Sequence, residues 1–219
     1  ASKNSISAIE KNKLKSWWKK ILLKNYYFFD EDEHILINNL KSLDFLGIKP
    51  VKQVLPATFS QTSLDVIKNK LNDLKITKFI IFHPSAQYEY KVYNQELREV
   101  LLSLLDLLNI PIIITGGSND IDIKIKESLP KLKNVYDFIN ETSMDEFIAL
   151  SSISKAYIGM DTLNMHIAAS QNKRIFAIFG PTNISMWSPW SNNLETAANT
   201  SGPIIEYDNV TIFQAVLPC

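Results

Sequence analysis

AYIGMDTLNMHIAASQNKRIFAIFGPT, residues 156–182, carries the fold in its spacing. The run AYIGM is short, apolar and β-favouring, and it stops at Asp161 and Thr162. Small and apolar residues then cover a helix predicted from Leu163 to Gln171. RIFAIF is a second buried run, closed by Gly180-Pro181-Thr182. Apolar strands joined by one helix read as a parallel β-α-β unit, because parallel strands are covered on both faces and need a crossover.

The alternation extends toward the amino terminus. KFIIFHP reads as a strand stopping at Pro84, followed by a helix with Leu97, Val100, Leu101, Leu104, Leu105 and Leu108 on one side and Asn109 and Pro111 as its stop. PIIIT runs into Gly116 and Gly117, and a helix is predicted from Asn119. NVYDF is a weaker strand; Thr142 and Ser143 ahead of Glu146 have near capping-box spacing and predict a short helix from Met144 to Leu150. Five such alternations predict an α/β fold with a doubly wound parallel sheet, whose ligands sit beyond the carboxyl ends of the strands.

Before residue 77 the pattern is different. KNKLKSWWKKILLKNYYFF, residues 11–29, places Leu14, Trp17, Trp18, Ile21 and Leu22 at helical spacing with Lys15, Lys19 and Lys20 on other faces. This predicts a basic amphipathic helix, which packs its aromatics on a neighbouring domain or meets a membrane surface. The acidic stretch Asp30 to Glu33 suits a helix start, Leu36, Leu40, Leu43 and Leu46 lie along one face, and Gly47 ends the helix. Pro50 and Pro56 mark a connection. The expected division is a helical amino-terminal part over 1–60 with its linker and an α/β domain over 61–219.

Composition narrows the function classes. With 219 residues, 46% of them hydrophobic, the chain can bury one good core with room for a smaller appendage. Lysine plus arginine number 23 against 23 aspartate plus glutamate, so no global field would hold nucleic acid. Cys219 is the single cysteine, which excludes an internal disulfide and a cysteine-based zinc site and favours a cytoplasmic setting. No apolar run approaches the roughly 20 residues needed to span a bilayer, and no signal peptide is read at the start. Ala1 opens on a polar stretch abruptly, which reads as a cut.

The strand-end rule selects four loops: His83 to Lys91, Thr115 to Asp120, Gly159 to His166 and Phe179 to Thr182. At Thr162, Leu163 and Asn164 a helix start would point free N–H groups at the crevice and attract an anion. Asp161 would repel a nearby phosphate, so it reads as a ligand for sugar hydroxyls or as a plain helix N-cap. His166 lies one turn further on, as a site residue or a structural histidine. Ser85 and Lys91 combine a hydroxyl with a flexible cation suited to a diphosphate; a loop lysine alone is equally a solvated surface residue. Gly116 and Gly117 permit close approach by a ligand or make an ordinary turn. GxGxxG and the P-loop pattern are absent, and His34, His83 and His166 are not grouped, so neither a cofactor nor a metal is expected.

Taken in order, HPSA with Lys91, then ITGG, TSMDEF, YIGMDTLNMHIAAS and IFAIFGPTNISMWSPW resemble the carboxy-terminal domain of the lipopolysaccharide heptosyltransferases, glycosyltransferase family nine. The likeness covers about residues 77–190. Its last two blocks are specific in combination, whereas the first two are generic. The resemblance implies one half of a GT-B fold, with two Rossmann-like domains facing a cleft, and inverting transfer from ADP-heptose or a similar nucleotide sugar to a lipopolysaccharide core acceptor. It further implies that Ser85 and Lys91 contact phosphates, that Thr162 and Leu163 offer backbone donors, that Asp161 binds sugar hydroxyls, that His166 supports the loop and that Asp120 stands near the ribose. Developing diphosphate charge would be met by a helix start and a lysine without a metal. An acceptor embedded in the inner membrane would suit peripheral contact through residues 11–29.

The sequence departs from the family at identifiable places. Leu163 stands where glycine is usual, Tyr93 where tryptophan is common, and Asn140-Glu141 where glycine-lysine is usual. The amino-terminal domain with its general base has no counterpart before residue 77, residues 1–60 resemble only its tail, and the chain stops at Leu217-Pro218-Cys219 where the family continues. Truncation at both ends, and donor binding without turnover, are therefore expected. Two other readings stay open: a non-catalytic scaffold that has lost the donor site, for which Leu163 argues, and a GT-B enzyme using a UDP-sugar.

Overall fold

The computed structural model describes residues 5–10, 17–193 and 202–214. Its amino-terminal part is β1 (Ile6–Glu10), α1 (Trp17–Leu22), β2 (Asn25–Phe29), α2 (Ile35–Leu40) and a 3-10 turn over Lys41–Leu46. Of the helix expected over 11–29, the described residues hold Trp17–Leu22, and the NYYFF end is instead a strand parallel to β1, in register from Ile6 opposite Asn25 to Glu10 opposite Phe29. Consecutive aromatics prefer a pleated surface, and β1 offers their backbone a partner that an isolated short helix lacks. Leu14 and Lys15 lie outside the described residues, as do Ala1 and Leu217 to Cys219.

His34, rather than the acidic stretch before it, caps α2: its Nδ1 accepts the Leu36 N–H at 3.1 Å. Gly47, with φ of 65°, ends the following 3-10 turn in the left-handed conformation that glycine adopts without penalty. Residues 48–60 carry no helix or strand and are tied to the α/β part, with Val54 exchanging hydrogen bonds with Asn192 and the Ala57 N–H donating to Ser170 Oγ at 3.1 Å.

The α/β part opens with α3 (Gln61–Asp73), a helix the strand-centred reading passes over; Ser60 caps it and Ile67 and Leu71 anchor it in the core. There follow β3 (Ile80–His83), a 3-10 turn over Glu89–Lys91, α4 (Gln95–Asp106), β4 (Ile112–Ile114), α5 (Asp120–Glu127), β5 (Val135–Asp137) and α6 (Met144–Ile153). The chain continues through β6 (Ala156–Met160), α7 (Leu163–Ser170), β7 (Arg174–Phe179), α8 (Ile184–Trp187), β8 (Ile204–Tyr207) and β9 (Val210–Gln214). A full capping box starts α6, with Ser143 accepting from the Glu146 N–H and Glu146 from the Ser143 N–H.

Among the described residues seven strands form the main sheet, in the order β5-β4-β3-β6-β7-β9-β8, parallel except for the antiparallel β8–β9 hairpin. The chain runs outward from β3 through β4 to β5, then returns to the other side of β3 for β6, β7 and β9. The direction of winding reverses between β3 and β6, which makes their carboxyl ends the switch point of a doubly wound sheet. Gly159 permits the close approach there, since a Cβ would stand 2.6 Å from the His83 carbonyl oxygen and 2.8 Å from Tyr157 Oη.

On one face Ile81, Ile113, Tyr157, Ile175 and Phe179 pack beneath α3, α6 and α7. On the other, Phe82, Ile112, Ile114 and Ile158 pack with Leu102 of α4 and Ile125 of α5. Each such side chain contributes on the order of 1.5–3 kcal/mol by leaving water. On this second face, Ile158, Phe176, Ile178 and Phe213 form, with Leu101 and Leu105, an apolar cavity of about 480 Å³.

Candidate functional site

A cleft of about 400 Å³ opens at the switch point, at the carboxyl ends of β3 and β6. Among the residues singled out in the sequence, Ser85, Lys91, Asp161, Thr162, Leu163 and Asn164 line it together. β3 delivers His83, and Ser85 follows just past Pro84, both buried, before the 3-10 turn brings Lys91 round to face the end of β6. Lys91 Nζ lies 3.2 Å from Asp161 Oδ2, an ion pair whose lysine remains about a quarter exposed and whose aspartate is nearly buried.

Asp161 does not cap α7. Thr162 is the N-cap residue, in extended conformation at φ −143° and ψ 170°, and its hydroxyl makes no capping bond. Thr162 C=O accepts from the N–H groups of Met165 and His166, and no acceptor serves the N–H of Leu163 or Asn164 among the described residues. The helix start thus offers unpaired donors and the positive end of its dipole to the cleft. Thr162 Oγ1 and Tyr157 Oη are likewise buried, facing each other with no further hydrogen-bond partner among the described residues. Burial raises the Tyr157 phenol well above its usual range and keeps it neutral.

His83 forms the floor. Its Nδ1 stands 3.1 Å from Thr115 Oγ1, and Asn164 Nδ2 is 3.2 and 3.3 Å from the two ring nitrogens, so the amide lies over the ring rather than at one nitrogen. Burial holds the imidazole down at about 4, against the pull of the Asp122 carboxylate and of a hydrogen bond that the ring donates to the Thr115 backbone. The floor is therefore uncharged near neutral pH. At the mouth Tyr88, Met144 and Leu163 are all more than half exposed and make an apolar rim. Leu163 stands on this rim without filling the cleft.

Four residues expected at the site are placed elsewhere. Asp120 is exposed on the first turn of α5 and does not line the cleft, because the helix turns Asp122 inward instead. Gly116 and Gly117 do not line it either. Their missing side chains make room for Asp122: a Cβ on Gly116 would meet Asp122 Oδ1 at 2.8 Å, and the Gly117 N–H donates to Asp122 Oδ2 at 2.8 Å. His166 lies behind the loop, with its pKa lowered by burial and by proximity to His34, and raised by Asp161. Asn119, Asp122, Met144, Tyr88 and His83 also line the cleft, with Ala86 and Gln87. Asn119 and Asp122 were legible as an N-x-x-D helix start, in which Asn119 Oδ1 accepts the Asp122 N–H and the Asn119 amide donates to Asp122 Oδ2.

Chemically, a lysine and an open helix start suit a dianionic group, and a carboxylate at the same spot suits hydroxyls attached to it. Among the described residues no group of three or more histidine, cysteine, aspartate or glutamate residues could hold a metal ion.

Residues 43–216 match the family described as Glycosyltransferase family 9 (heptosyltransferase). Over 165 residues the chain is 21% identical to lipopolysaccharide heptosyltransferase 3 of Escherichia coli, covering 74% of this chain and 48% of that protein, and 22% identical to the same protein of strain K12. It spans about half the length of these relatives. Among solved structures it resembles a family 9 glycosyl transferase from Veillonella parvula, with a TM-score of 0.74 at 13% identity over 95% of this chain and 56% of that one. It also resembles the Escherichia coli heptosyltransferase WaaC solved with ADP, with a TM-score of 0.64 at 13% identity over 95% of this chain and 59% of that one. Heptosyltransferase II of the same organism gives 0.62 at 17% identity, over 84% and 65%.

Proposed function

The chain belongs to glycosyltransferase family 9, and on that premise we propose that it supplies the donor-binding part of a heptosyltransferase of lipopolysaccharide biosynthesis. In this reading the diphosphate of ADP-heptose lies over the start of α7, where Lys91 and the free N–H groups of Leu163 and Asn164 meet its charge without a metal. Asp161, released by Lys91, accepts hydroxyls of the sugar. Tyr88, Met144 and Leu163 offer an apolar surface to the base. The juxtaposition of Lys91, Asp161 and the uncapped helix start at the switch point carries this reading, and the relatives' names supply the sugar.

Isothermal titration with ADP, UDP and ADP-heptose tests it. ADP and ADP-heptose should bind, UDP more weakly, and a chelator should leave the affinities unchanged. Binding of UDP alone would favour a related enzyme with a uridine donor, and no binding of any nucleotide would favour the scaffold reading. Donor binding, rather than complete transfer, is the activity proposed for these residues: the general base is assigned to the amino-terminal domain of the family.

The acceptor proposed is the lipopolysaccharide core, approached from the membrane surface. Trp17, Trp18, Ile21 and Leu22 are exposed on α1, with Lys19 and Lys20 among them, a composition suited to anionic headgroups. No helix among the described residues is long and apolar enough to cross a membrane. Sedimentation with anionic liposomes at low salt, lost in the Trp17→Ala/Trp18→Ala double variant, is expected; failure to sediment would remove this contact from the scheme.

A further inference from the structure

A second polar cavity, of about 330 Å³, lies behind the loop that carries Lys91, between α4 and α5. One side chain in its wall stands out. Arg98 is only 3% exposed, yet no carboxylate lies within ion-pair distance of it among the described residues. Its guanidinium donates to the Tyr93 carbonyl at 3.3 Å and to Ser128 Oγ at 2.6 Å, and Nε is buried with no partner. Two hydrogen bonds to neutral groups thus serve a buried cation with further N–H donors to satisfy. A buried charge without a counter-charge is costly, and an arginine fork matches an oxyanion.

Other features of the wall have the same sign. Asn94 and Gln95 place the start of the long helix α4 on the cavity, with Asn94 capping the Leu97 N–H, and Lys124 of α5 is exposed at its edge. Among the described lining residues Glu89 is the one carboxylate, set against Arg98, Lys124 and the helix start. Glu99, which acts on Arg98 from a distance, is itself bonded by Gln95 and does not line the cavity. Val92, Ile121 and Ile125 with Tyr90 and Tyr93 supply the apolar remainder.

We propose that the α4–α5 cavity is a second anion site, which takes a small phosphate-bearing molecule as the counter-charge of Arg98. The loop between the two cavities turns Tyr88 and Lys91 toward the donor cleft and Glu89, Tyr90, Val92 and Tyr93 toward Arg98. Tyr88 and Tyr90 stack across that division, with ring centroids 5.6 Å apart and planes at 17°. Occupation of the Arg98 site therefore fixes the loop that presents Lys91. Only this last coupling depends on the donor reading; the site itself does not.

The experiment is a titration of the full chain with inorganic phosphate, followed by the 15N–1H resonance of Arg98 Nε, whose burial slows its exchange, and by the backbone amides of Leu163 and Asn164. The Arg98 signal is expected to shift saturably, with a midpoint roughly 3–10-fold weaker in Lys124→Ala and unchanged in Lys91→Ala. Lys124 is exposed, so its variant keeps the fold. A stationary Arg98 signal, whether or not the α7 amides move, overturns the proposal. So does an Arg98 shift that vanishes in Lys91→Ala, which would mark transmission from the donor cleft, or one insensitive to Lys124→Ala.

Discussion

Lys91 Nζ and Asp161 Oδ2, 3.2 Å apart, bring together two loops seventy residues apart in sequence at the switch point of the sheet. The two charges offset each other, and the two side chains suit different parts of one ligand. On the donor reading proposed above, an anion arriving at the start of α7 competes with Asp161 for the lysine, so its binding and the release of the carboxylate are a single event.

Substitution at the two positions should accordingly act with opposite signs on ADP. Lys91→Ala should weaken ADP by about 10–100-fold, the value of a charge-assisted hydrogen bond of roughly 1.5–3 kcal/mol. Asp161→Asn should leave ADP as tight or tighter, while removing the additional affinity of ADP-heptose over ADP. Calorimetry on both variants reads this; equal weakening of ADP by both would contradict the competition.

Acid should destabilise the fold from about pH 6.5 downward. His83 is held at about 4 by burial, so between its ordinary 6.5 and 4 the unfolded chain takes up a proton that the folded chain refuses. Stability is full above 6.5 and falls as the pH drops through this window, by roughly 3 kcal/mol for His83. His34 and His166 are lowered too and add in the same direction. Urea denaturation of wild type and His83→Gln across pH 4–7 checks it: the variant should lose a distinctly smaller share of stability on acidification.

Gly159→Ala should destabilise by about 1–3 kcal/mol, the usual cost of overpacking. The added methyl would meet backbone, the His83 carbonyl, and the hydroxyl of the fully buried Tyr157. Denaturant midpoints measure the loss; a neutral outcome would mean that β3 and β6 can separate at the switch point.

Ser143→Ala breaks the capping box of α6 and should cost about 1 kcal/mol. Met144, the next residue, stands on the rim of the cleft, so fraying of this turn should also weaken ADP by a few-fold. Thermal melts and calorimetry on the same variant separate the two effects.

Local and periodic features were legible along the chain. Apolar runs bounded by Pro84, Gly116, Asp161 and Gly180 mark strands, since fully buried parallel strands leave no other pattern, and the cap at Ser143 marks the start of α6. Resemblance over residues 77–190 pointed to the family to which residues 43–216 match. The aromatic run at 26–29 misled, because its strand depends on β1, a partner the periodicity of residues 11–29 does not reveal. The helix α3 and the β8–β9 hairpin likewise depend on packing against distant elements.

Tertiary structure alone decided which polar residues share a cavity. Asp120 and Asp122 are equivalent as composition, but the rotation of α5 turns one to solvent and the other under Gly116 and Gly117. Arg98 is buried because the Lys91 loop and α5 close over it, with Tyr93 and Ser128 accepting its hydrogen bonds. Burial, and with it the meaning of a charge, is a property of elements brought together from far apart in the chain, and spacing along one element does not encode it.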